Sequence, residues 1–145
     1  MEIQFKKVHT VKDLAISVLI IIVGAGLFFV DKGLGFCIAV VGLVMLALYK
    51  SGYKKNGQGP VLTRKSEELC RSCRSSIIEF LNGKDTNPVI KPGNEGGSIR
   101  LVVYYNEKED VAYIQLSDYS NYTYVPVTDV VELKIDRASK IISKL

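Results

Sequence analysis

The chain has 145 residues, of which 48% are hydrophobic, with a mean hydropathy of +0.18 and a formal net charge of +4. That composition excludes intrinsic disorder, a disulfide-stapled secreted mini-protein and a plain soluble enzyme. Outside its apolar zone the chain is short enough to bury one small core, not two domains or a large substrate cleft.

After a leader, residues 1–13, come two uncharged apolar runs, Leu14–Val30 and Leu34–Tyr49, split only by Asp31-Lys32-Gly33. One straight helix over the whole zone would be about 54 Å long, against a hydrocarbon thickness of ~30 Å. Asp31 and Lys32 would each cost about 2.5–3.5 kcal/mol at mid-bilayer, and Gly33 can reverse the chain. The expectation is a transmembrane helical hairpin, 14–30 and 34–49 with its turn at 31–33.

Small residues mark where two such arms can approach. Ser17 and Gly24 are seven apart on the first arm, as are Gly35 and Gly42 on the second, with Ala39 between them. Seven residues are nearly two turns, so each pair lines one stripe. Gly26 and Ala39 lie at similar distances from the turn, which suits an antiparallel contact. Lys6, Lys7 and Lys12 precede the hairpin and Lys50, Lys54 and Lys55 follow it. The positive-inside rule then places both ends in the cytoplasm, at the inner membrane, with lipid as an integral partner.

Residues 50–62 read as a basic juxtamembrane linker, rich in Gly and Lys and closing on Pro60. Lys50–Arg74 carries seven basic and two acidic residues, whereas Ser75–Leu145 carries eight basic and ten acidic. The basic side chains Lys50, Lys54, Lys55, Arg64 and Arg71 are candidate lipid-headgroup contacts. The net-acidic, aromatic-rich remainder argues against nucleic acid as a partner.

Residues 63–145 form the expected small α+β cytoplasmic domain. Leu69, Cys70, Cys73, Ile77, Phe80 and Leu81 recur at helical spacing, predicting an amphipathic helix over Thr63–Asn82 that Gly83 stops. A loop, Gly83–Ser98, follows. Alternation predicts strands Ile99–Tyr105 and Val111–Ser117, joined by the polar loop Asn106–Asp110, then a third strand Tyr122–Val127. Val130–Asp136 reads as a fourth strand and Arg137–Lys144 as a short closing helix, although Val131, Ile135, Ala138, Ile142 and Leu145 also fit one continuous helix. The fold class expected is therefore an α+β membrane protein: a two-helix transmembrane hairpin, one amphipathic helix, a three- or four-stranded antiparallel meander and a C-terminal helix.

Cys70-Arg71-Ser72-Cys73 is a C-x-x-C pair, placed two turns into the expected helix with both sulfurs on its apolar face. A redox pair needs its first thiol near a helix start, and a zinc site needs four ligands. The chain has three cysteines and one histidine, His9, on the far side of the hairpin. No catalytic, cofactor-binding or metal-binding residue is therefore assigned. No phosphate loop is read in Gly93-Asn94-Glu95-Gly96-Gly97, which has no Lys-Ser/Thr after it and precedes a strand.

Six of the eight tyrosines fall between Tyr104 and Tyr124. Within Asp118–Tyr124, Tyr119, Asn121, Tyr122 and Tyr124 combine rigid amphipathic area with adaptable hydrogen bonding, as recognition surfaces do. Strand propensity explains part of the same enrichment. The expected function is a non-enzymatic, membrane-anchored interaction or regulatory module, of immunity type in its most specific form. It would bind a protein partner or a second copy. The alternatives are a thiol redox or metal-handling membrane protein using Cys70 and Cys73, and a structural membrane component oligomerising through the glycine stripes.

Overall fold

The computed structural model describes residues 3–93 and 98–145, so most of the Gly93–Gly97 stretch lies outside the described residues. The chain divides into two compact units, one ending at Val61 and the other beginning at Leu62.

The first unit is built on two helices, α1 (Val11–Leu27) and α2 (Lys32–Leu48), each of 17 residues. Thr10 and Asp13 form a capping box at the start of α1. The Asp31 carboxylate caps α2 by accepting from the Gly33 and Leu34 amides at 2.9 and 3.0 Å. Helix α1 begins three residues before the apolar run and takes Lys12 and Asp13 into its first turn. It ends at Leu27, and Phe28–Val30 make the turn instead of a further helical turn. At 1.5 Å per residue each helix is ~25 Å long, short of the ~30 Å hydrocarbon core. Among the described residues no helix is long and apolar enough to cross a membrane. That finding overturns the transmembrane hairpin expected over 14–30 and 34–49. The membrane-anchored function, its two membrane-based alternatives and the inner-membrane location fall with it.

The helices pack through small residues. Ser17, Gly24, Gly35 and Gly42 are buried between them. A methyl on Gly24 would run into the backbone of Ala39, and one on Gly42 would sit 2.7 Å from the Ile21 side chain and 3.1 Å from the Ser17 carbonyl. Large side chains such as Leu19, Ile22, Phe36 and Leu43 point away from this seam and are exposed.

Two short strands join the base of the hairpin, β1 (Phe5–Val8) and β2 (Gly52–Lys55), in antiparallel register from Phe5↔Lys55 to Val8↔Gly52. The expected linker over 50–62 is thus structured. Asn56 and Gly57, at φ 51° and 78°, turn β2 directly into β3 (Gln58–Cys70). Asn-Gly is the residue pair that a two-residue type I′ hairpin prefers, because both positions need positive φ.

Strand β3 continues into the second unit, and this corrects the expected helix over Thr63–Asn82. Between Thr63 and Glu68 no residue is apolar, so a helix there would have no face to bury. As a strand the segment instead pairs with β4 (Ser98–Asn106) from Thr63↔Tyr105 to Cys70↔Ser98. Helix begins only after it, as a single 3₁₀ turn over Arg71–Cys73 leading into α3 (Arg74–Leu81). The sheet goes on through β5 (Val111–Ser120), β6 (Thr123–Pro126) and β7 (Val131–Leu133), and α4 (Ile135–Ile142) closes the chain. Pairing runs β1-β2-β3-β4-β5-β6, all antiparallel where registered, and β7 also pairs with β5. Among the described residues seven strands thus replace the expected three or four.

One face of this unit's sheet carries the core. Ile99, Leu101, Val103, Ala112, Ile114 and Leu116 are fully buried there against Cys73, Ile77 and Phe80 of the 3₁₀ turn and α3, and against Ala138 and Ile141 of α4. Lys65 reaches along the same side to donate to the Ile142 carbonyl at 3.0 Å, placing a cation at the C-terminal end of α4. Lys140 and Lys144 donate to the Thr86 and Pro88 carbonyls at 2.9 and 2.8 Å, and so hold the loop after Gly83. Arg137 covers the Phe80 ring and donates to its carbonyl.

Candidate functional site

The face of the sheet away from α3 and α4 ends in a cluster of aromatic and charged groups. Cross-strand neighbours share a face, so Tyr119 on β5 and Tyr124 on β6, directly paired, lie side by side with ring centroids 5.0 Å apart. Glu68 on β3 and Arg100 on β4 are likewise directly paired, and the Arg100 guanidinium donates to the Glu68 carboxylate at 2.8 Å. Arg100 also lies over the Tyr124 ring, 3.7 Å from its centroid. The Tyr124 hydroxyl is 3.0 Å from Ser98 Oγ. Hydrogen bonds from Arg100 and Tyr124 hold the Glu68 carboxyl below its ordinary range. Three strands thus fix one cation–π stack, with Glu68 and Arg100 each partly open to solvent.

Beyond the stack the β5–β6 hairpin closes in two residues. Asn121 and Tyr122 both have positive φ, 49° and 61°, as a type I′ turn requires. Tyr122 is 95% exposed, whereas Tyr119 is 47% exposed. A left-handed conformation costs a non-glycine residue roughly 1–2 kcal/mol. In the β2–β3 turn the equivalent position is Gly57, so the same chain makes the same turn without that cost.

The candidate partner-binding residues Tyr119, Asn121, Tyr122 and Tyr124 therefore occupy one hairpin. Arg100, Glu68 and Ser98 join them, and no local pattern marks these three, because only the strand register brings them under Tyr124.

The other candidates are spread more widely. Lys50, Lys54 and Lys55 belong to the hairpin unit and Arg64 and Arg71 to the second. Arg71 pairs with Asp118 at 3.3 Å, and Arg74 meets the same carboxylate at 3.4 Å. Lys54 stands directly across from Lys6 in the β1–β2 ribbon. Of the packing candidates, Ser17, Gly24, Gly35, Ala39 and Gly42 meet at the helix seam, whereas Gly26 faces open space with nothing within 4 Å. A further polar clasp closes the hairpin at its base. The Asp13 carboxylate accepts from the Ser51 amide and hydroxyl at 2.9 and 2.6 Å and from the Thr10 amide at 2.9 Å. Its burial opposes ionisation, but these bonds outweigh it and bring its pKa down to about 2. The Thr10-x-x-Asp13 spacing is the sequence signal for half of this clasp.

All three cysteines are free thiols. Because helix starts only at Arg71, Cys70 sits at a helix start and not two turns inside. The Ser72 hydroxyl donates to its sulfur at 3.4 Å and holds the thiol below its ordinary pKa. Cys73 is 1% exposed in the core, so Cys70 has no accessible partner thiol in the motif. Among the described residues no group of three or more His, Cys, Asp or Glu side chains could hold a metal ion.

Compared with known protein families, curated proteins and solved structures, the chain finds no match.

Proposed function

We propose that the second unit is a non-enzymatic protein-binding module that grips its partner with the β5–β6 hairpin, Tyr122 leading and Tyr119, Tyr124 and Arg100 behind it. The observation that carries this reading is the placement of Tyr122. A large aromatic residue occupies a left-handed turn position that glycine fills at no cost, and its ring is 95% exposed. It contributes no packing in return. Backbone strain without a folding benefit concentrates at functional positions, and Tyr and Arg dominate the energetics of protein interfaces. The Arg100–Tyr124 stack supports the reading further, since it holds two such residues rigid before a partner arrives and so reduces the entropy lost on binding. Over Leu62–Leu145 the unit carries twelve basic and twelve acidic residues, so it has no net positive charge to attract a phosphate backbone, which favours protein over nucleic acid as that partner.

Site-specific photo-crosslinking in cells tests this. A benzophenone side chain at position 122 is expected to give a discrete protein adduct, and one at Val89, which is 49% exposed on a loop, is expected to give none. The adduct should weaken when Arg100→Ala removes the support under Tyr124. Equal labelling from positions 122 and 89, or none from 122, defeats the proposal.

A further inference from the structure

The hairpin unit is packed in reverse of an ordinary core. Small and polar groups fill its seam, while eighteen large apolar side chains from Val11 to Tyr49 are between 38% and 91% exposed. Together they present on the order of 1,500 Å² of apolar surface, against about 300–600 Å² for the largest patch of an ordinary monomer. A standard interface takes about 800 Å² from each partner, so one face of the hairpin suffices for a stable contact.

We propose that this surface is an interface between copies of this chain, hairpin packed antiparallel on hairpin as a four-helix unit. Two features select a second copy. First, no charged residue lies between Leu14 and Val30 or between Gly33 and Tyr49, so a partner must offer an equally long uncharged strip, and this chain carries one. Second, the two ends differ in charge, a lysine-rich base against a net-neutral tip, and this disfavours the parallel sense. Six lysines, Lys6, Lys7, Lys12, Lys50, Lys54 and Lys55, flank the base, and Asp31 and Lys32 occupy the tip. A parallel pairing would bring two six-lysine bases together. An antiparallel two-fold sets each Asp31 beside the other copy's base, the closed isologous arrangement that most homo-oligomers adopt. The central contacts come from residues such as Leu19, Ile22, Phe36 and Val41, which lie outside the seam and are free to enter a neighbour's grooves.

Sedimentation equilibrium of the full chain in aqueous buffer without amphiphile is the test. The expected mass is twice that of the chain, or an even multiple of it. Ile22→Arg with Val41→Arg should return the monomer mass with helix content unchanged, because neither residue lines the α1–α2 seam. Asp31→Asn keeps the helix cap, since Asn caps as well as Asp, and should weaken association several-fold. A monomeric wild type overturns the proposal, as does a chain dispersed only as single copies in detergent micelles, or a mass that the double arginine variant leaves unchanged. An unaltered Asp31→Asn overturns the antiparallel orientation.

Discussion

Replacing Tyr122 by glycine should make the second unit more stable and its partner binding weaker. The native backbone at 122 has φ 61°, which costs a tyrosine about 1–2 kcal/mol and glycine essentially nothing. Glycine also frees the unfolded chain, which takes back about 0.4–1 kcal/mol. The ring is 95% exposed, so its removal forfeits almost no packing. The net expectation is a gain of about 0.5–1 kcal/mol, or roughly 3–6 °C for a unit of this size. Because the chain has two units, a single melting curve is a poor measure. Hydrogen exchange at the Leu101 and Ile114 amides, in the central strands, reads the opening of this unit alone. Tyr122→Ala provides the control. It keeps the left-handed cost and loses the ring, so stability should stay near wild type while capture falls as it does for glycine. A leading interface tyrosine is worth at least about 2 kcal/mol, or roughly thirtyfold in affinity. Loss of stability in Tyr122→Gly would refute the strain argument, and retained capture would refute the binding argument.

Gly42→Leu should destabilise the hairpin unit by at least the 1–3 kcal/mol typical of overpacking. Its side chain would meet Ile21 and the Ser17 carbonyl, and loss of helical circular dichroism on mild heating checks this, with Gly26→Leu as the tolerated comparison. The Asp13 clasp predicts acid sensitivity. Its pKa is lowered in the folded unit to about 2, so its contribution is full above the ordinary carboxylate value of about 3.9 and disappears as pH falls through about 2. Faster exchange of the Ser51 amide over that window, absent in Asp13→Asn, is the expected observation. Arg100→Ala should raise the Glu68 pKa toward the ordinary glutamate range, because it removes the first of the hydrogen bonds that lower it. A carbon-detected carboxyl titration follows that shift, and an unmoved Glu68 would show that Tyr124 alone sets it.

What could be read from the sequence depended on whether the deciding interaction was local. Ile99, Leu101 and Val103 alternate with polar or half-exposed neighbours, and Ala112, Ile114 and Leu116 recur at every second position although Tyr113 between them is buried as well, so the two central strands declare themselves by the period of their apolar residues. Thr63–Glu68 had no such signal. Its charges suit a solvated helix surface, and only pairing with β4 makes it a strand, a case of tertiary context overriding a local pattern. The Asn56-Gly57 turn was legible from two residues, but the surrounding Gly and Lys read more readily as a tether. Phe5–Val8 is four residues long and gains its strand character only from β2. In the site the tyrosines were visible as composition, whereas the Glu68–Arg100–Tyr124 stack depends on the registers of three strands.

The misreading of the hairpin has a different origin. Apolar run length is a count along the sequence, but helix length is set by caps. Asp31 caps α2 from its side chain and the α1 helix stops at Leu27, so three apolar residues, Phe28–Val30, turn the corner. The hydropathy of the whole chain therefore reflects the outside of one unit more than the inside of either. That distribution separates the two proposals. The hairpin surface is broad and uncharged between its ends, so its binding should rise with temperature near ambient, as burial of apolar area does, with salt acting only through the contact between Asp31 and the lysine base. The tyrosine hairpin is narrow and backed by a charged stack, so a single substitution such as Tyr122→Ala should weaken its binding about thirtyfold. If Ile22→Arg with Val41→Arg eliminated the crosslink from position 122 while that unit stayed folded, the two surfaces would be serving one assembly, and the tyrosine site would act only in the oligomer.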